Sequence, residues 1–404
     1  MNNPDVIVIG AGISGLSFAW KAAQAGRSVL VLERSPRSGG CLHSPRYEDG
    51  FWFELGAHTL YNSYGNLLDL IEGLGLAGSL LERGRARSRF CLLRDGHLRE
   101  LTPALVPFQL DPVELATHLP FSLFTSKEGL SVKQYYSRIL GPRNFRRFLS
   151  PMLSAVPCQK ADRFPVEGPG SLFEKRRRRA GYPRSFGLEG GLQSICDAIA
   201  GQAAIEVRTS TEVAAVQPHG EQARVYLTDG SSMLAQRVAI ALPPDEASNL
   251  LCNGFAGLSA ALSHVKTTTV HSLGLRLQRE PCTLPECAFL VPTNDVFHSA
   301  VTRDVFPDDT WRAVTFHFAS DITDAHAHER ILVRLGVDRS VLSGLESRHT
   351  TLPSPSAALH RGLVDMIDRE LGHTRLALTG NYFAGMAVED CIARSNEEWR
   401  RVCE

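Results

Sequence analysis

The sequence carries no net charge, because 43 basic residues (Lys and Arg) balance 43 acidic residues (Asp and Glu) over 404 residues. Such a chain creates no overall field that would attract nucleic acid, so nucleic-acid partners are not predicted. It also lacks any run of about 18 apolar residues, the length that a membrane-spanning helix needs. Peripheral contact with a membrane stays open.

The nine cysteines are odd in number and form no Cys-x-x-Cys pair. This pattern favours neither a disulfide framework nor a zinc site, and no metal is predicted. The first apolar segment begins at Val6, which leaves no room for a signal or transit peptide ahead of it. We therefore expect a cytoplasmic protein, with a peripheral position at the inner face of a membrane as the alternative.

What the sequence does contain, at its start, is the pattern of a βαβ unit. Val6–Ile9 is a continuous apolar run, Ile13–Ala25 has helical periodicity, and Ser28–Leu32 is a second apolar run. A helical crossover makes the two strands parallel, and continuous apolar strands are typical of a sheet buried on both faces. The segment therefore predicts a parallel sheet that is covered on both sides.

A glycine-rich turn joins the first strand to the helix. Residues 10–15 match Gly-x-Gly-x-x-Gly, whose glycines allow a tight turn, close approach of a pyrophosphate and close packing of helix on strand. The helix N-terminus then faces the phosphates. Glu33, at the end of the second strand, is placed to accept hydrogen bonds from a ribose diol. The unit predicts a dinucleotide site but does not separate FAD from NAD.

Two further glycine turns carry a resemblance to a known family. A glycine pair at 39–40 follows the ribose acid, and a Glu-x-Gly turn follows at 54–56. In both features the chain resembles the FAD-dependent superfamily of amine oxidases, phytoene desaturases and protoporphyrinogen oxidases. The resemblance continues at 211–213, where the family places a valine backbone against the adenine, and at 380–392. It implies FAD as the cofactor.

The same resemblance implies which residues contact FAD. For His58 it implies a backbone contact rather than a role for the imidazole. The backbone of 386–388 would lie beside the flavin ring at a helix N-terminus, which would favour a negatively charged reduced flavin. The predicted contacts are Gly10, Ala11, Gly12, Ile13, Ser14, Gly15, Glu33, Arg34, Gly39, Gly40, Cys41, Gly56, Ala57, His58, Thr59, Val213, Gly380, Met386, Ala387 and Val388.

Within the superfamily, the chain is more similar to the protoporphyrinogen oxidase branch. Asn381 stands where amine oxidases usually have Glu. Arg89 and Phe90 resemble the pair that contacts a substrate propionate in that branch, and an arginine suits a carboxylate because it donates two parallel hydrogen bonds. The other segments that carry the similarity are 131–142, 185–194, 289–292 and 385–392.

Some features depart from that branch. The chain is short for it, Ala57 stands where proline is common, and Cys41 stands where a larger residue usually flanks the flavin. The substrate therefore stays open between a porphyrinogen and another small organic molecule.

The predicted fold class is α/β plus α+β, with interleaved domains. A Rossmann-type FAD-binding domain is expected at 1–78, 191–264 and 340–404. A largely helical subdomain at 79–190 would serve substrate access or membrane contact, and a β-rich substrate-binding domain would span 265–339.

The resemblance implies an FAD-dependent oxidase that removes hydride from its substrate, with O2 as the electron acceptor. No catalytic side chain is singled out, because the flavin carries the chemistry. Two alternatives stay open: a related oxidase, desaturase or amine oxidase of a specialised pathway, and a non-redox flavoprotein resembling UDP-galactopyranose mutase. The basic run 175–179 is expected to be a solvated loop, with anionic lipid or an acidic substrate as alternative partners.

Overall fold

The computed structural model describes residues 4–280, 282–372 and 374–403, without the side chains of Arg85 and Pro103. The strands are β1 (Val6–Ile9), β2 (Val29–Leu32), β3 (Leu60–Tyr61), β4 (Leu80–Glu82), β5 (Phe90–Arg94), β6 (His97–Leu101), β7 (Ser185–Leu188), β8 (Ile205–Arg208), β9 (Val213–His219), β10 (Gln222–Leu227), β11 (Ser232–Ala235), β12 (Arg237–Ile240), β13 (Thr267–Gln278), β14 (Phe289–Pro292), β15 (Phe297–Thr302), β16 (Trp311–Ala319), β17 (Leu342–Pro353) and β18 (Leu376–Leu378). The α-helices are α1 (Ile13–Gln24), α2 (Gly65–Gly73), α3 (Pro112–His118), α4 (Val132–Leu140), α5 (Pro142–Asn144), α6 (Ser150–Ser154), α7 (Gln193–Ala200), α8 (Pro244–Leu251), α9 (Ala256–Ser263), α10 (Asp324–Leu335), α11 (His360–Leu371) and α12 (Val388–Cys403).

The first sheet is parallel and five-stranded, in the order β18-β12-β1-β2-β8. In its central strand β1, Val6 and Val8 belong to the core on one face, and Ile7 and Ile9 belong to the core on the other. Successive side chains of a strand point to opposite faces, so a strand covered on both sides is apolar throughout. The predicted Rossmann-type unit is confirmed.

Helices cover both faces of this sheet. The core on one face includes side chains of α1, α2, α7 and α12. The core on the other face includes α8, α9 and α11, together with the antiparallel three-stranded sheet β11-β10-β9. Both layers come from distant parts of the chain, as expected for interleaved units.

The largest sheet has seven strands in the order β17-β13-β16-β15-β14-β5-β6. Its pairs are antiparallel except β14 with β5, which run parallel. Helix α10 packs on one face through Ala327, Ile331 and Leu335, which share a core with the inner side chains of β13 and β16.

The structure divides the chain differently from the predicted boundaries. Strands β5 and β6 lie within 79–190 but belong to the seven-stranded sheet, because Cys91 and Leu93 pack into its core. Strand β17 lies within 340–404 but pairs along β13 in the same sheet. The α-helices of the expected helical subdomain lie between α3 and α6. No helix in the described ranges is long and apolar enough to cross a membrane.

Candidate functional site

A cavity of about 560 Å³ lies where β1, β2, β12 and β18 end. This volume falls within the roughly 300–1,000 Å³ of small-molecule and cofactor sites. The carboxyl edge of a parallel sheet is also where doubly wound folds bind ligands, because the glycine turns and helix N-termini collect there. We call it the first cavity. Its lining includes the predicted residues Gly10, Gly12, Ile13, Ser14, Glu33, Arg34, Gly40, Cys41, Ala57, Val213, Gly380, Met386 and Val388.

The glycine turns form a narrow cradle at one end of the first cavity. Gly10 has φ +101° and Gly40 has φ +53°, a left-handed region that favours glycine. A Cβ atom on Gly40 would lie 2.7 Å from the Cα atom of Gly12, closer than such atoms approach. Helix α1 follows Gly12, which supplies no side-chain cap. Its first N–H groups therefore face the cradle, an arrangement that fits the pyrophosphate of a dinucleotide.

Glu33 links the two ends of the βαβ turn. One carboxylate oxygen accepts a hydrogen bond from the backbone N–H of Ala11 at 2.8 Å, and the other accepts from that of Ser35 at 2.8 Å. A carboxylate has about four acceptor positions, so it retains capacity for a ribose hydroxyl. The side chain thus holds the turn in place as well as lining the cavity.

The second turn, at 54–56, is anchored by a buried carboxyl group. Glu54 accepts hydrogen bonds from the Ser44 hydroxyl at 2.6 Å and from the backbone N–H of Leu192 at 2.7 Å. Burial raises the pKa of Glu54 to about 7, and these hydrogen bonds oppose part of that rise. The next turn residue, Gly56, packs against the carbonyl oxygen of Cys41, where no side chain would fit.

His58 directs its imidazole toward the seven-stranded sheet. Its Nε2 lies 3.0 Å from Nε2 of His317 on β16, whose Nδ1 lies 2.9 Å from the Ser272 hydroxyl on β13. Burial lowers the pKa of His317 to about 4. Burial also lowers the pKa of His58, with further contributions from His317 and Arg83. Both rings are therefore neutral near pH 7, and one donates a hydrogen bond to the other.

The C-terminal helix α12 presents its N-terminus to the first cavity. Met386 and Val388 line the cavity just where the helix begins. Asp390 accepts a hydrogen bond from the Ala387 N–H at 3.2 Å and pairs with Arg176. Glu389 accepts from the backbone N–H groups at the start of α2. These contacts fix the position of the segment that borders the cavity.

Sequence reasoning missed part of the first cavity. Strand β17 contributes Arg348 and the stretch 349–351, and α8 contributes Glu246 and Asn249. Neither element carries a recognisable sequence motif. Strand β17 reaches the cavity only because it pairs with β13. The remaining predicted residues stand behind the lining rather than in it: Ala11, Gly15, Gly39, Gly56, His58, Thr59 and Ala387.

Of the two predicted substrate residues, Arg89 lines a second, more open cavity, which we call the arginine cavity, and Phe90 follows it in the chain without lining that cavity. Residues 82–84 and 87–89 line it. Arg89 is half exposed, with its Nε 4.0 Å from a carboxylate oxygen of Glu100, and Phe90 packs on Phe289 with ring centroids 4.5 Å apart. The Nε of Arg83 is buried without a hydrogen-bond partner among the described residues, and burial lowers the pKa of Arg83.

The basic run 175–179 is partly neutralised by the protein itself. Arg176 pairs with Asp390 and with Glu174, and its guanidinium lies 5.6 Å from the ring centroid of Tyr64. Arg179 pairs with Asp69 on α2. The expectation of a solvated loop therefore does not hold for Arg176, because Asp390 folds against it, whereas Arg179 forms its ion pair at the solvent-exposed surface.

Sequence comparison connects the chain to flavoproteins. A sequence model of the family described as flavin containing amine oxidoreductase matches residues 13–310. The mitochondrial protoporphyrinogen oxidase of Nicotiana tabacum is 37% identical over 112 residues, which is 27% of this chain and 20% of that protein. The 15-cis-phytoene desaturase of Synechococcus elongatus is 39% identical over 75 residues, 19% of this chain and 16% of that protein. These alignments span a fifth or less of each relative's length.

Solved structures resemble the chain over its whole length. A provisionally named protoporphyrinogen oxidase from Exiguobacterium sp. 255-15 gives a TM-score of 0.79 at 19% identity, covering 99% of this chain and 98% of that chain. Cyclohexylamine oxidase from Brevibacterium oxydans IH-35A gives 0.72 at 15% identity, covering 100% of both. At these identities the likeness concerns the fold, and it confirms the predicted fold class.

Proposed function

Because this chain belongs to the family of flavin-containing amine oxidoreductases, we propose that it is an oxidase that takes hydride from a porphyrinogen-like small molecule, with O2 as the acceptor. Family membership confirms the predicted FAD cofactor and the oxidoreductase class. The observation that carries the proposal is the first cavity, where a glycine cradle and the N-termini of α1 and α12 border one space.

In this proposal the residues that line the first cavity would hold FAD. Gly12 and Gly40 form the cradle for the pyrophosphate, Glu33 receives a ribose hydroxyl, and Val213 lies at the adenine. Met386 and Val388 border the flavin ring. When bound, FAD would supply the two-electron acceptor for the hydride, and O2 would be the oxidant that is reduced to hydrogen peroxide. The positive end of α12 stabilises negative charge that develops beside it.

The arginine cavity supports a substrate with carboxylate groups. Arg89 donates hydrogen bonds to a carboxylate in this proposal, and Phe90 supplies an apolar surface beside it. The identity to the tobacco protoporphyrinogen oxidase, 37% over 112 residues, supports a porphyrinogen, which bears such groups.

The test is a turnover assay on the flavin-loaded protein. Incubation with protoporphyrinogen or coproporphyrinogen under air is expected to yield porphyrin fluorescence well above the autoxidation rate, with hydrogen peroxide formed in parallel. The variant Gly40→Ala, whose new Cβ meets Gly12, is the matched control for flavin-dependent turnover. Wild-type protein that carries flavin but gives no enhancement would refute the porphyrinogen proposal.

A second candidate is a related oxidase or desaturase that acts on another small molecule. Cys41 and Ala57 both line the first cavity and depart from the protoporphyrinogen oxidase branch. A panel of amines and conjugated alkenes, mixed with the protein in the absence of oxygen, is expected to bleach the flavin absorbance if this candidate is right. Bleaching by a porphyrinogen alone would exclude it.

We also propose that residues 108–124, which include helix α3, make peripheral contact with a membrane. Phe108, Leu123 and Phe124 are 80%, 80% and 87% exposed, and Val113 is 73% exposed. Several large apolar side chains exposed within one short stretch of chain are typical of an interaction surface. Cosedimentation with phosphatidylcholine vesicles, with and without phosphatidylglycerol, is expected to recover the wild-type protein and less of a Leu123→Ser/Phe124→Ser variant. Equal recovery of the two proteins would contradict the proposal.

A further inference from the structure

Strand β17 brings an unpaired cation into the first cavity. Arg348 lines this cavity together with Gly12, Gly40 and Cys41. Its Nη1 atom is buried and has no hydrogen-bond partner in the part of the chain that the structure describes. Burial lowers the pKa of Arg348, and Glu33 opposes part of this effect. An arginine side chain stays charged in a protein, so its buried and unpartnered Nη1 donor favours an anion.

A second guanidinium lies beside it. Burial lowers the pKa of Arg37 to about 10, and the positive charge of Arg348 contributes to that shift. Arg37 donates to the carbonyl oxygens of Ser38 at 2.9 Å and Gly40 at 3.2 Å, so its donors hold the glycine turn. Within the described residues, no hydrogen bond of this kind is seen for Arg348, so its guanidinium remains available to bind an anion.

The carboxylates around the cavity are committed elsewhere. Glu33 accepts from the backbone at Ala11 and Ser35, and Glu246 pairs with Arg34 at 3.0 Å. Within the described ranges, no carboxylate lies within 4.0 Å of Arg37 or Arg348 in an ion pair. Two neighbouring, partly buried cations that form no ion pair repel each other, and a bound dianion would offset that repulsion.

We propose that Arg348 binds the pyrophosphate of FAD, at the cradle formed by Gly12 and Gly40. Arg348 and the first turn of α1 line the same cavity, so one phosphate anion can receive hydrogen bonds from the backbone N–H groups and from the guanidinium. Because β17 belongs to the seven-stranded sheet, this contact ties the cofactor to the substrate-side sheet as well as to the Rossmann-type sheet.

The test measures binding and requires no substrate, so it is independent of the proposed oxidase activity. FAD dissociation from the full-length holoenzyme is followed by the rise of flavin fluorescence on dilution, for the wild type, Arg348→Gln and Arg348→Lys. Full-length protein freed of flavin is titrated with ADP and with adenosine. Arg348→Gln is expected to weaken FAD and ADP binding about tenfold and leave adenosine binding unchanged, and Arg348→Lys to restore part of the loss.

The matched control is Arg339→Gln, an exposed arginine just before β17. Its FAD and ADP binding is expected to equal that of the wild type. Unchanged ADP binding in Arg348→Gln would overturn the proposal. Equal weakening of ADP and adenosine would also overturn it, because that result means that the side chain supports the cavity wall rather than the phosphates. Circular dichroism of each variant establishes that the fold is retained.

Discussion

The first cavity and the arginine cavity are built in different ways. The first is enclosed by turns that sit at the ends of buried parallel strands, and their glycines touch each other directly. The arginine cavity is a surface depression made by one short stretch of chain, with half-exposed guanidinium groups. A rigid cavity can hold one large cofactor in a defined pose, whereas an open basic surface can accept carboxylates of several shapes. This difference indicates that separate parts of the chain recognise the cofactor and the substrate.

The largest expected effect tests the rigidity of the first cavity. Gly40→Ala places a Cβ 2.7 Å from Gly12 Cα at φ +53°, so the cradle has to open. We expect FAD binding to weaken about 100-fold, roughly 3 kcal/mol, measured as flavin absorbance retained per protein. The control Gly50→Ala has φ +80° and meets no atom within 4 Å. Equal FAD retention in the two variants would show that the cradle is not rigid.

The next effect concerns the pair of His58 and His317, which links the turn that follows residues 54–56 to the seven-stranded sheet. The pKa of His317 is about 4 in the folded protein and about 6.5 when unfolded, so the unfolded chain binds the extra proton as the pH falls from 6.5 to 4. The free energy of unfolding is expected to drop by up to about 3 kcal/mol across that window. Denaturant unfolding at several pH values, for the wild type and His317→Gln, measures the contribution of His317 together with its effect on His58.

The wild type has to be compared with His317→Gln because the titration of Glu54 changes the free energy of unfolding in the opposite direction. Its pKa is raised to about 7, so it contributes stability at low pH that is lost as the pH rises from about 4.5 to 7. The wild type and His317→Gln share this contribution. A pH profile that is identical in the two proteins would show that His317 does not titrate as a buried group.

A smaller effect is expected at the arginine cavity. Arg89→Gln removes a proposed carboxylate contact from a half-exposed position. With a carboxylate-bearing substrate, KM is expected to rise about tenfold while kcat is unchanged, because the contact is made equally in substrate and transition state. Arg99→Gln, on exposed β6, is the control. A loss of kcat with KM unchanged would place Arg89 at the reacting atoms instead.

The smallest expected effect is that of Arg34, and it distinguishes this residue from Arg348 in the same cavity. Arg34 is exposed and already paired with Glu246 at 3.0 Å, and exposed pairs contribute about 0–1 kcal/mol. Arg34→Gln is therefore expected to change the dissociation constant of FAD by about threefold or less, as measured by flavin fluorescence. An effect as large as that of Arg348→Gln would mean that the pair with Glu246 breaks when FAD binds.

Much of the fold and of the first cavity was predictable from local patterns. The apolar run of β1, the glycine turn and Glu33 occur within one short segment, so their relative positions follow from the βαβ geometry. The boundaries at 79–190 were not predictable in this way. Strands β5 and β6 have ordinary strand patterns, and their partner β14 lies far along the chain.

The same limit explains why the position of Arg348 in the first cavity was not predicted from the sequence. Nothing within β17 distinguishes this arginine from an exposed one, because a strand pattern alone does not name its partner strand or the cavity at its edge. The pairing with β13 decides both. Arg176 and Arg179 follow the same logic, since their carboxylate partners lie on α12 and α2.

By itself, the sequence determined the parallel βαβ unit, the glycine cradle that suits a dinucleotide, and the family through which FAD is assigned. These features depend on residues close in the chain, where steric rules for glycine and strand periodicity act directly. Only the tertiary structure decided which sheet β5, β6 and β17 join, that His58 meets His317, and that Arg348 reaches the cavity. Those outcomes arise from packing between distant segments, where burial and charge pairing select one arrangement among many that the local patterns allow.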